Sequence, residues 1–320
     1  MLFIDGEEVR KRLTFERCIP LMREAMIAFS IGETRQLLRS ILPLGAGRLL
    51  GIMPGAMGEH AVFGAKLISI TPENFEKGRS SHQGIVALFD PEDGAPVAIV
   101  DASALTAIRT AAASAAATDA LARPDAGRLA LLGYGEQARE HAQAIARVRR
   151  LSSITIWGRR RERAEALAEH LCETLDCPAT PVDSARAAAR GADIVCTVTS
   201  AQEPVLEGAW LAAGAHVNVV GSSYAGPTEV DNALVAMSRF FVDSRAGALA
   251  QGAEFLRAKE AGLVDDDHIA GEIGEVFAGR IKGRQMREEI TVYKSLGHVA
   301  QDLAAAWAIY QDIAGEMSRR

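Results

Sequence analysis

The spacing of apolar residues changes from helical to strand-like after residue 32. Residues 7–31 carry apolar side chains at helical spacing, from Val9 to Phe29, and Gly32 follows as a stop signal, so we predict one helix. Beyond it the apolar runs are short and are separated by glycine or proline turns, as in a sheet. The acidic turn 90–94 separates two of these runs and predicts a hairpin. The predicted strands are 37–44, 49–53, 63–70, 85–89 and 96–101, which form a sheet-rich unit with the helix packed on it.

Small residues dominate 103–123, and Pro124 to Gly127 end this predicted helix. From there, short buried strand patterns alternate with helical patterns as far as residue 243. This alternation predicts an α/β fold, a Rossmann-type doubly wound parallel sheet with helices on both faces. A final helix, 299–310, is expected to pack on the first unit. We therefore predict one domain made of 1–124 and 299–320, and a second made of 125–298.

A glycine turn follows the first strand of the second domain. Apolar residues 129–132 lead into Gly133 and Gly135, and a helical pattern begins at Glu136. Here Gly133 allows the tight turn, Gly135 lets a pyrophosphate approach the backbone, and Ala138 permits close packing of helix and strand. The free N–H groups at the start of the helix would face the phosphates. The alternative is a glycine turn that binds no ligand.

The end of the second strand indicates which dinucleotide is bound. NAD sites usually carry Asp or Glu there to bind the ribose 2′-hydroxyl, whereas this chain has Gly158-Arg159-Arg160-Arg161. Guanidinium groups match a 2′-phosphate in charge and in geometry. We expect NADP(H) to be preferred and NAD(H) to be possible, with Arg159 as the main phosphate contact. Alternatively, the arginines form only the solvated start of a helix.

Ligands of doubly wound sheets bind beyond the carboxyl ends of the strands, so further nucleotide contacts are expected there. The full set of expected nucleotide contacts is Ser81, Thr110, Gly133, Gly135, Glu136, Gln137, Gly158, Arg159, Arg160, Thr197, Thr199, Val219, Gly221, Ser222 and Leu296.

Composition and charge exclude several classes of protein. The 320 residues are 48% hydrophobic and carry a net charge of −6, so no basic field attracts nucleic acid. No apolar run is long enough for a membrane span, and the N-terminus lacks the pattern of a signal peptide, so we expect a cytoplasmic protein. The cysteines are scattered and are expected to be reduced and structural: Cys18, Cys172, Cys177 and Cys196. Six histidines lack ligand spacing, so we expect no metal: His60, His141, His170, His216, His268 and His298.

Several motifs together resemble the ornithine cyclodeaminase/μ-crystallin family over nearly the whole chain. The most specific is Thr106-Ala107-Ile108-Arg109-Thr110-Ala111-Ala112; the others are Gly64-Ala65-Lys66, Asn74 with Gly78, the Gly133 turn with Gln137, Val219-Val220-Gly221-Ser222, and 291–297 with Asp302. The resemblance implies a Rossmann domain, a substrate-binding and dimerisation domain built from the N-terminal part plus the last helix, and a homodimer. The activities it implies are ornithine cyclodeamination, alanine dehydrogenation and reduction of cyclic ketimines.

The resemblance also implies ligands for the substrate carboxylate. Arg39, Lys66 and Arg109 match these ligands, with the nearby Arg35 as an alternative match to Arg39. Cations that converge on a closed pocket would orient the carboxylate of a small amino or imino acid. For each cation the alternative is a surface charge or a structural ion pair.

Two further positions bear on the chemistry. Ser223 stands where the cyclodeaminases carry an aspartate that acts on the substrate amine, and a serine cannot serve as a carboxylate base. Cyclodeamination is therefore disfavoured, while Ser223 and Gly297 are expected to contact substrate. Reductase-type members have a histidine near His82, which could supply a proton; otherwise His82 is a loop residue without a chemical role. Lys66 and His82 are thus the candidate catalytic residues.

The predicted function is NAD(P)H-dependent reduction of a cyclic ketimine, of the Δ1-pyrroline-2-carboxylate or Δ1-piperideine-2-carboxylate type, to an L-imino acid such as L-proline. One alternative is ornithine cyclodeaminase or alanine dehydrogenase-like chemistry on the same scaffold. The other is a non-enzymatic, NADP-dependent ligand-binding protein, against which the three matching cations weigh.

Overall fold

The computed structural model describes residues 1–58 and 61–319, without the side chains of residues 75 and 76, so the expectation for His60 lies outside it. The chain divides into two compact units: unit 1 contains residues 1–110 and the segment from His298 onward, and unit 2 contains Ala111–Gly297. The strands are β1 (Leu2–Ile4), β2 (Thr34–Gln36), β3 (Ser40–Gly45), β4 (Arg48–Met57), β5 (Phe63–Ile70), β6 (His82–Phe89), β7 (Pro96–Asp101), β8 (Arg128–Leu132), β9 (Ser153–Trp157), β10 (Ala179–Pro181), β11 (Ile194–Thr197), β12 (His216–Val219), β13 (Arg239–Val242), β14 (Ile269–Glu272) and β15 (Thr291–Lys294). The helices are α1 (Gly6–Arg12), α2 (Phe15–Ser30), α3 (Ala102–Leu121), α4 (Glu136–Ala146), α5 (Arg161–Leu175), α6 (Ala185–Ala189), α7 (Asn232–Met237), α8 (Arg245–Gln251), α9 (Ala253–Glu260), α10 (Ile273–Phe277) and α11 (Val299–Ser318). Within the described residues, no helix is both long and apolar enough to cross a membrane.

Unit 1 is built on a mostly antiparallel sheet. Its strand order is β1-β7-β6-β5-β4-β2, with β3 also paired to β4. The predicted hairpin forms between β6 and β7, and only β1 runs parallel to its neighbour. α11 packs on β4, β5 and β6 and also against α2, so the last helix belongs to this unit. Its buried face carries Leu303, Ala306 and Ile309.

Two helices cover residues 6–30, so the prediction of a single helix is wrong. The helical backbone stops after Arg12 because Leu13 adopts φ −102° and ψ 69°, and Thr14 is extended as the N-cap of α2. The apolar spacing continues through this break, since Val9 and Leu13 are as buried as Met22. A hydrophobic pattern reports the buried face and not the continuity of the backbone.

β4 continues through Met53-Pro54-Gly55 to Met57, whereas the predicted strand 49–53 ends at Met53. Pro54 pairs with Ala65 of β5, and on its other side β2 ends opposite Gly55. Proline is tolerated at this place because it lies beside the end of a short neighbouring strand, where a ladder N–H is not required. The predicted strand 37–44 is also divided: residues 37–39 lie outside strands, and they carry Arg39.

Unit 2 contains eight parallel strands in the order β10-β9-β8-β11-β12-β15-β13-β14. The chain moves outward from β8 to β10 on one side and resumes at β11 on the other, which is the doubly wound arrangement. The predicted α/β fold class is therefore confirmed. The central strands β8, β11, β12, β13 and β15 are buried on both faces. The apolar core of the sheet includes Val195, Val217, Phe240 and Val292.

The division between the units falls inside α3 and not at the predicted residue 124. The second part of α3 is tied into unit 2 by polar contacts. Ser114 Oγ lies 2.9 Å from His141 Nε2, and Thr118 Oγ1 accepts a hydrogen bond of 2.9 Å from Asn218. The Pro124 turn ends the helix, as predicted, but a turn does not need to coincide with a domain boundary.

Candidate functional site

Two buried cations of unit 1 share one carboxylate. Lys66 Nζ lies 3.0 Å and Arg109 Nε lies 2.9 Å from the same oxygen, Oδ1 of Asp302. The three side chains are 2%, 4% and 0% exposed respectively. We call these three residues the cation cluster. When Lys66 is protonated, the cluster carries two positive charges for one negative charge, so it has a surplus that an anionic ligand can neutralise.

Local sequence explains how three separate elements form this cluster. In β5, alternate side chains face the helix-covered side of the sheet, and Lys66 shares this buried face with Gly64 and Ile68. Arg109 is the sole charged residue within the first seventeen positions of α3. Asp302 lies in the first turn of α11, where the helix dipole favours a carboxylate.

Neutral partners fix the orientation of both cations. Thr106 Oγ1 accepts a 2.7 Å hydrogen bond from Lys66, and Gln301 Oε1 accepts a 2.7 Å hydrogen bond from Arg109. Gln301 is itself buried and lies 3.1 Å from the sulfur of Met26. These contacts hold the charged ends in place before any ligand arrives.

Burial and charge shift the proton affinities of the cluster strongly. Burial lowers the pKa of Lys66 to about 7, with Arg109 and Arg39 acting in the same direction and Asp302 opposing them. Burial raises the pKa of Asp302, but the charges of Arg109 and Lys66 outweigh it and hold that pKa below its ordinary value. Asp302 is therefore ionised, and Lys66 can gain or lose a proton near neutral pH.

Arg39 and His82 are electrostatically coupled to the cluster. Arg39 lowers the pKa of Lys66 from the segment between β2 and β3. The pKa of His82, the first residue of β6, falls to about 4, because protein atoms displace water from its ring and because Lys66, Arg39 and Arg109 repel a further positive charge. His82 is nevertheless exposed at the surface of unit 1, and its Nδ1 lies 2.9 Å from Ser81 Oγ. The imidazole is therefore neutral at neutral pH.

Ser81 and Thr110 are the two expected nucleotide contacts that lie in unit 1. Thr110 is buried beside Arg109 in α3.

The glycine turn of unit 2 has the geometry of a phosphate cradle. Gly133 adopts φ +128°, and a Cβ added there would lie 2.6 Å from the carbonyl oxygen of Val198. Gly135 is the N-cap of α4 and offers no side chain to the N–H groups of Glu136 and Gln137 in the first turn. An uncapped helix start beside glycine backbone fits a pyrophosphate.

The arginine segment after β9 differs in its contacts from residue to residue. Arg161 is engaged by Glu165 at 2.8 Å and also by Asp183. Arg159 and Arg160 are exposed, and Arg159 makes no hydrogen bond or ion pair with the described part of the chain. Gly158 is required here because the ring of Tyr134 occupies the position of a Cβ.

Glu229, which the sequence did not single out, joins the ends of β11 and β12. Its carboxylate accepts hydrogen bonds from the hydroxyls of Thr197 and Thr199, at 2.8 and 2.7 Å, and from the backbone N–H groups of Thr199 and Gly221, both at 2.6 Å. Gly221 has no room for a side chain, since a Cβ would overlap the carbonyl oxygen of Thr199. Glu229 therefore fixes the edge at which nucleotide contacts were expected.

A second buried network supports Ser222. Lys294 lies 2.8 Å from Glu254 and donates a 2.6 Å hydrogen bond to Ser222 Oγ, and Ser222 also contacts Glu254. Further along, the N–H groups of Leu296 and Gly297 bind Asp243 Oδ2 at 2.7 and 2.5 Å.

The other two expected strand-end residues differ in burial. Val219 is fully buried at the end of β12, and Ser223 is half-buried in the loop that follows.

Sequence reasoning missed Gln301, Glu229, Glu254 and Lys294, and it noted Asp302 without a role. A signal was present only at the start of α11, where Gln301 and Asp302 interrupt a run of apolar residues. Among the described residues, no group of three or more histidine, cysteine or acidic side chains could hold a metal ion.

The doubly wound sheet with its glycine cradle, and the sheet unit with buried cations, define a two-unit α/β protein of the dehydrogenase-like class. Residues 2–317 match the model of the ornithine cyclodeaminase/mu-crystallin family, and the chain belongs to this family. The resemblance seen in the motifs is thus confirmed.

Three similar proteins span almost the whole chain. Ketimine reductase mu-crystallin of Mus musculus is 35% identical over 315 residues, 96% of each chain. The structure of Thermococcus litoralis Δ1-pyrroline-2-carboxylate reductase in complex with NADH and L-proline aligns with a TM-score of 0.95 and 31% identity, over 99% of this chain and 98% of that one. An archaeal alanine dehydrogenase dimer with bound NAD aligns with a TM-score of 0.92 and 28% identity, over 99% and 97% of the two chains.

Proposed function

We propose that this protein reduces a cyclic ketimine carboxylate, of the Δ1-pyrroline-2-carboxylate or Δ1-piperideine-2-carboxylate type, to the corresponding L-imino acid with NAD(P)H. The observation that carries the proposal is the buried cation cluster. It contains Arg109, which can bind a substrate carboxylate, and Lys66, an ammonium group that titrates near neutral pH. The names of the similar reductases, and L-proline in one of their complexes, support the same chemistry.

Arg109 and Arg39 are assigned to the substrate carboxylate. Arg109 uses Nε for Asp302 and Nη1 for Gln301, so its Nη2 edge retains donors for a carboxylate. A guanidinium held in this way binds a carboxylate with fixed geometry, which orients the C=N bond.

Lys66 is assigned as the proton source. Reduction of C=N adds a hydride to the carbon and a proton to the nitrogen, and the nicotinamide nucleotide supplies the hydride when bound. A general acid works best when its pKa lies near the operating pH, and the pKa of Lys66 is about 7. His82, with a pKa of about 4, is largely unprotonated at neutral pH, so Lys66 is the stronger of the two candidates.

The nucleotide is assigned to the Gly133 turn and the strand ends of unit 2, with NADP(H) preferred over NAD(H). The exposed Arg159 and the absence of a carboxylate in Gly158-Arg159-Arg160 support this preference. The charge and forked donors of a guanidinium fit a 2′-phosphate.

A homodimer is also proposed, with its interface on the exposed apolar surface of unit 1. Leu37, Leu38, Leu42 and Leu44 are each more than half exposed, on β3 and the segment before it. Exposed large apolar side chains that are near one another in sequence favour protein–protein contact. The similar alanine dehydrogenase is a dimer, which agrees with this assignment.

The test is an assay of purified protein with NADPH and NADH against the two cyclic imines, against pyruvate with ammonia, and against ornithine. We expect oxidation of NADPH with at least one imine, and loss of that activity in Lys66→Met and Arg109→Met. If neither imine causes oxidation of either nucleotide, the proposal is wrong. Proline release from ornithine or ammonia-dependent turnover of pyruvate would instead identify the other chemistries of the family.

A further inference from the structure

We propose that Asp302 is a positioning residue that holds the proton on Lys66 and aims the remaining donors of Lys66 and Arg109 at the substrate. This inference rests on the proposed imine reduction for its chemical meaning. The arrangement itself is a property of unit 1 alone, and it can be measured without turnover.

Hydrogen-bond geometry gives Asp302 its directing role. Lys66 has three N–H donors, and two are engaged, by Thr106 Oγ1 at 2.7 Å and by Asp302 Oδ1 at 3.0 Å. Within the described part of the chain the third donor has no acceptor, so it is left for a ligand. The same Oδ1 atom fixes Arg109 through Nε at 2.9 Å, so a single oxygen sets the orientation of both cations.

The charge balance around Lys66 gives Asp302 its second role. Without a carboxylate, Lys66 would face the positive charges of Arg109 and Arg39 inside a buried environment, which disfavours the ammonium form. The other titratable groups beside the cluster are uncharged at neutral pH. Burial lowers the pKa of His298 to about 3 and raises that of Cys18 to about 12. For His82, the displacement of water by protein atoms and the nearby positive charges lower the pKa to about 4. Among the described residues, Asp302 is therefore the carboxylate that stabilises the proton on Lys66.

Asp302 also keeps an unused oxygen. Its Oδ2 is buried and has no hydrogen-bond partner among the described residues. A buried carboxylate oxygen without a partner costs free energy, and the first turn of α11 offsets part of this cost by its dipole. The carboxylate is thus maintained at an energetic cost beside Lys66, as expected for a functional group and not for a stabilising one.

The direct experiment measures the titration of Lys66 by ¹³C NMR of protein labelled at the lysine ε-carbons. Lys66 is one of only six lysines, and its signal is assigned from its loss in Lys66→Met. We expect a midpoint near pH 7 in the wild type. In Asp302→Asn, which preserves size and removes the charge, the midpoint falls by about one pH unit or more. An unchanged or higher midpoint overturns the inference.

The kinetic counterpart is the pH profile of imine reduction. Asp302→Asn moves the alkaline limb of kcat to lower pH, so a shift of one unit lowers the activity at pH 7 about fivefold, and the activity recovers as the pH is lowered. The ionisation of the substrate itself is the same for the wild type and for Asp302→Asn, so it does not contribute to the difference between their pH profiles. Thr106→Val, which removes a neutral partner of Lys66, leaves the limb in place. A uniform loss of activity at every pH in Asp302→Asn indicates a merely structural role and contradicts the inference.

Asp302→Glu covers the case in which Asp302→Asn does not fold. It retains the charge, so its Lys66 midpoint stays near that of the wild type even where kcat falls, and a drop of one unit contradicts the proposal. If the wild type reduces no imine, the proposed function fails, whereas the NMR midpoints still decide whether Asp302 holds the proton.

Discussion

Replacing Lys66 by methionine tests whether this lysine is buried at the expense of stability. In the folded protein its pKa falls from the ordinary 10.5 to about 7, mainly through burial. Between these pH values the unfolded chain binds more protons than the folded chain, so the stability of the wild type rises with pH. From pH 7 to pH 9 this linkage adds about 2 kcal/mol to the free energy of unfolding. Lys66→Met lacks the titrating group and lacks this gain.

The assay is urea denaturation of wild type and Lys66→Met at pH 7 and pH 9, at one protein concentration. Trp307 lies in α11 of unit 1, whereas Trp157 and Trp210 belong to unit 2. In a Trp157→Phe, Trp210→Phe background the fluorescence change therefore reports on unit 1. The window ends at pH 9 because burial raises the pKa of Cys18 to about 12, which introduces an opposite linkage at higher pH.

The matched control is Lys11→Met, since Lys11 is 72% exposed in the same unit. We expect Lys11→Met to keep the pH dependence of the wild type, and Lys66→Met to lose it. If wild type and Lys66→Met gain equally between pH 7 and pH 9, Lys66 keeps its proton throughout, and its assignment as a neutral-pH acid fails.

Three further changes test other parts of the molecule. Arg159→Ala should weaken NADPH binding by about tenfold or more and leave NADH binding unchanged, whereas Arg161→Ala should alter neither; equal loss for both nucleotides would contradict a phosphate contact. Gly133→Ala should cost about 2–3 kcal/mol in urea denaturation and abolish nucleotide binding in calorimetry, because φ +128° and the Val198 carbonyl both exclude a Cβ, and a neutral effect would refute the cradle. Leu42→Asp should convert a dimer to a monomer in analytical ultracentrifugation; retention of the dimer places its interface elsewhere.

Much of the fold could be predicted because the relevant signals are local. A buried parallel strand such as 129–132 and the glycine turn after it can be recognised from residues that are adjacent in the sequence. Lys66 and Arg109 were singled out through the family resemblance, and the otherwise uncharged, small-residue helix around Arg109 supported that match. The break at Leu13 was not predictable, because the apolar spacing crosses it unchanged.

The supporting carboxylates could not be predicted for a different reason. Glu229 accepts hydrogen bonds from Thr199 and Thr197, which precede it by 30 and 32 positions. Asp302 accepts hydrogen bonds from Arg109 and Lys66, which precede it by 193 and 236 positions. A buried acid is recognisable only when its donors are known, and donors so distant in sequence appear only in the folded chain. In the sequence, both look like ordinary polar residues of a loop and a helix start.

The side chains of the site bear on the choice between reduction and cyclodeamination, which the shared fold does not distinguish. Cyclodeamination requires a base for the substrate amine, and the family resemblance implies that Ser223 stands where the cyclodeaminases carry an aspartate. Asp302 is a poor replacement, because Arg109 and Lys66 occupy its Oδ1 atom and hold its pKa below the ordinary value despite burial, which makes it a weak base. Lys66, by contrast, is an acid whose pKa is matched to neutral pH. A lysine that can carry a proton at neutral pH, beside a carboxylate that is a weak base, is suited to protonating an imine nitrogen as hydride arrives.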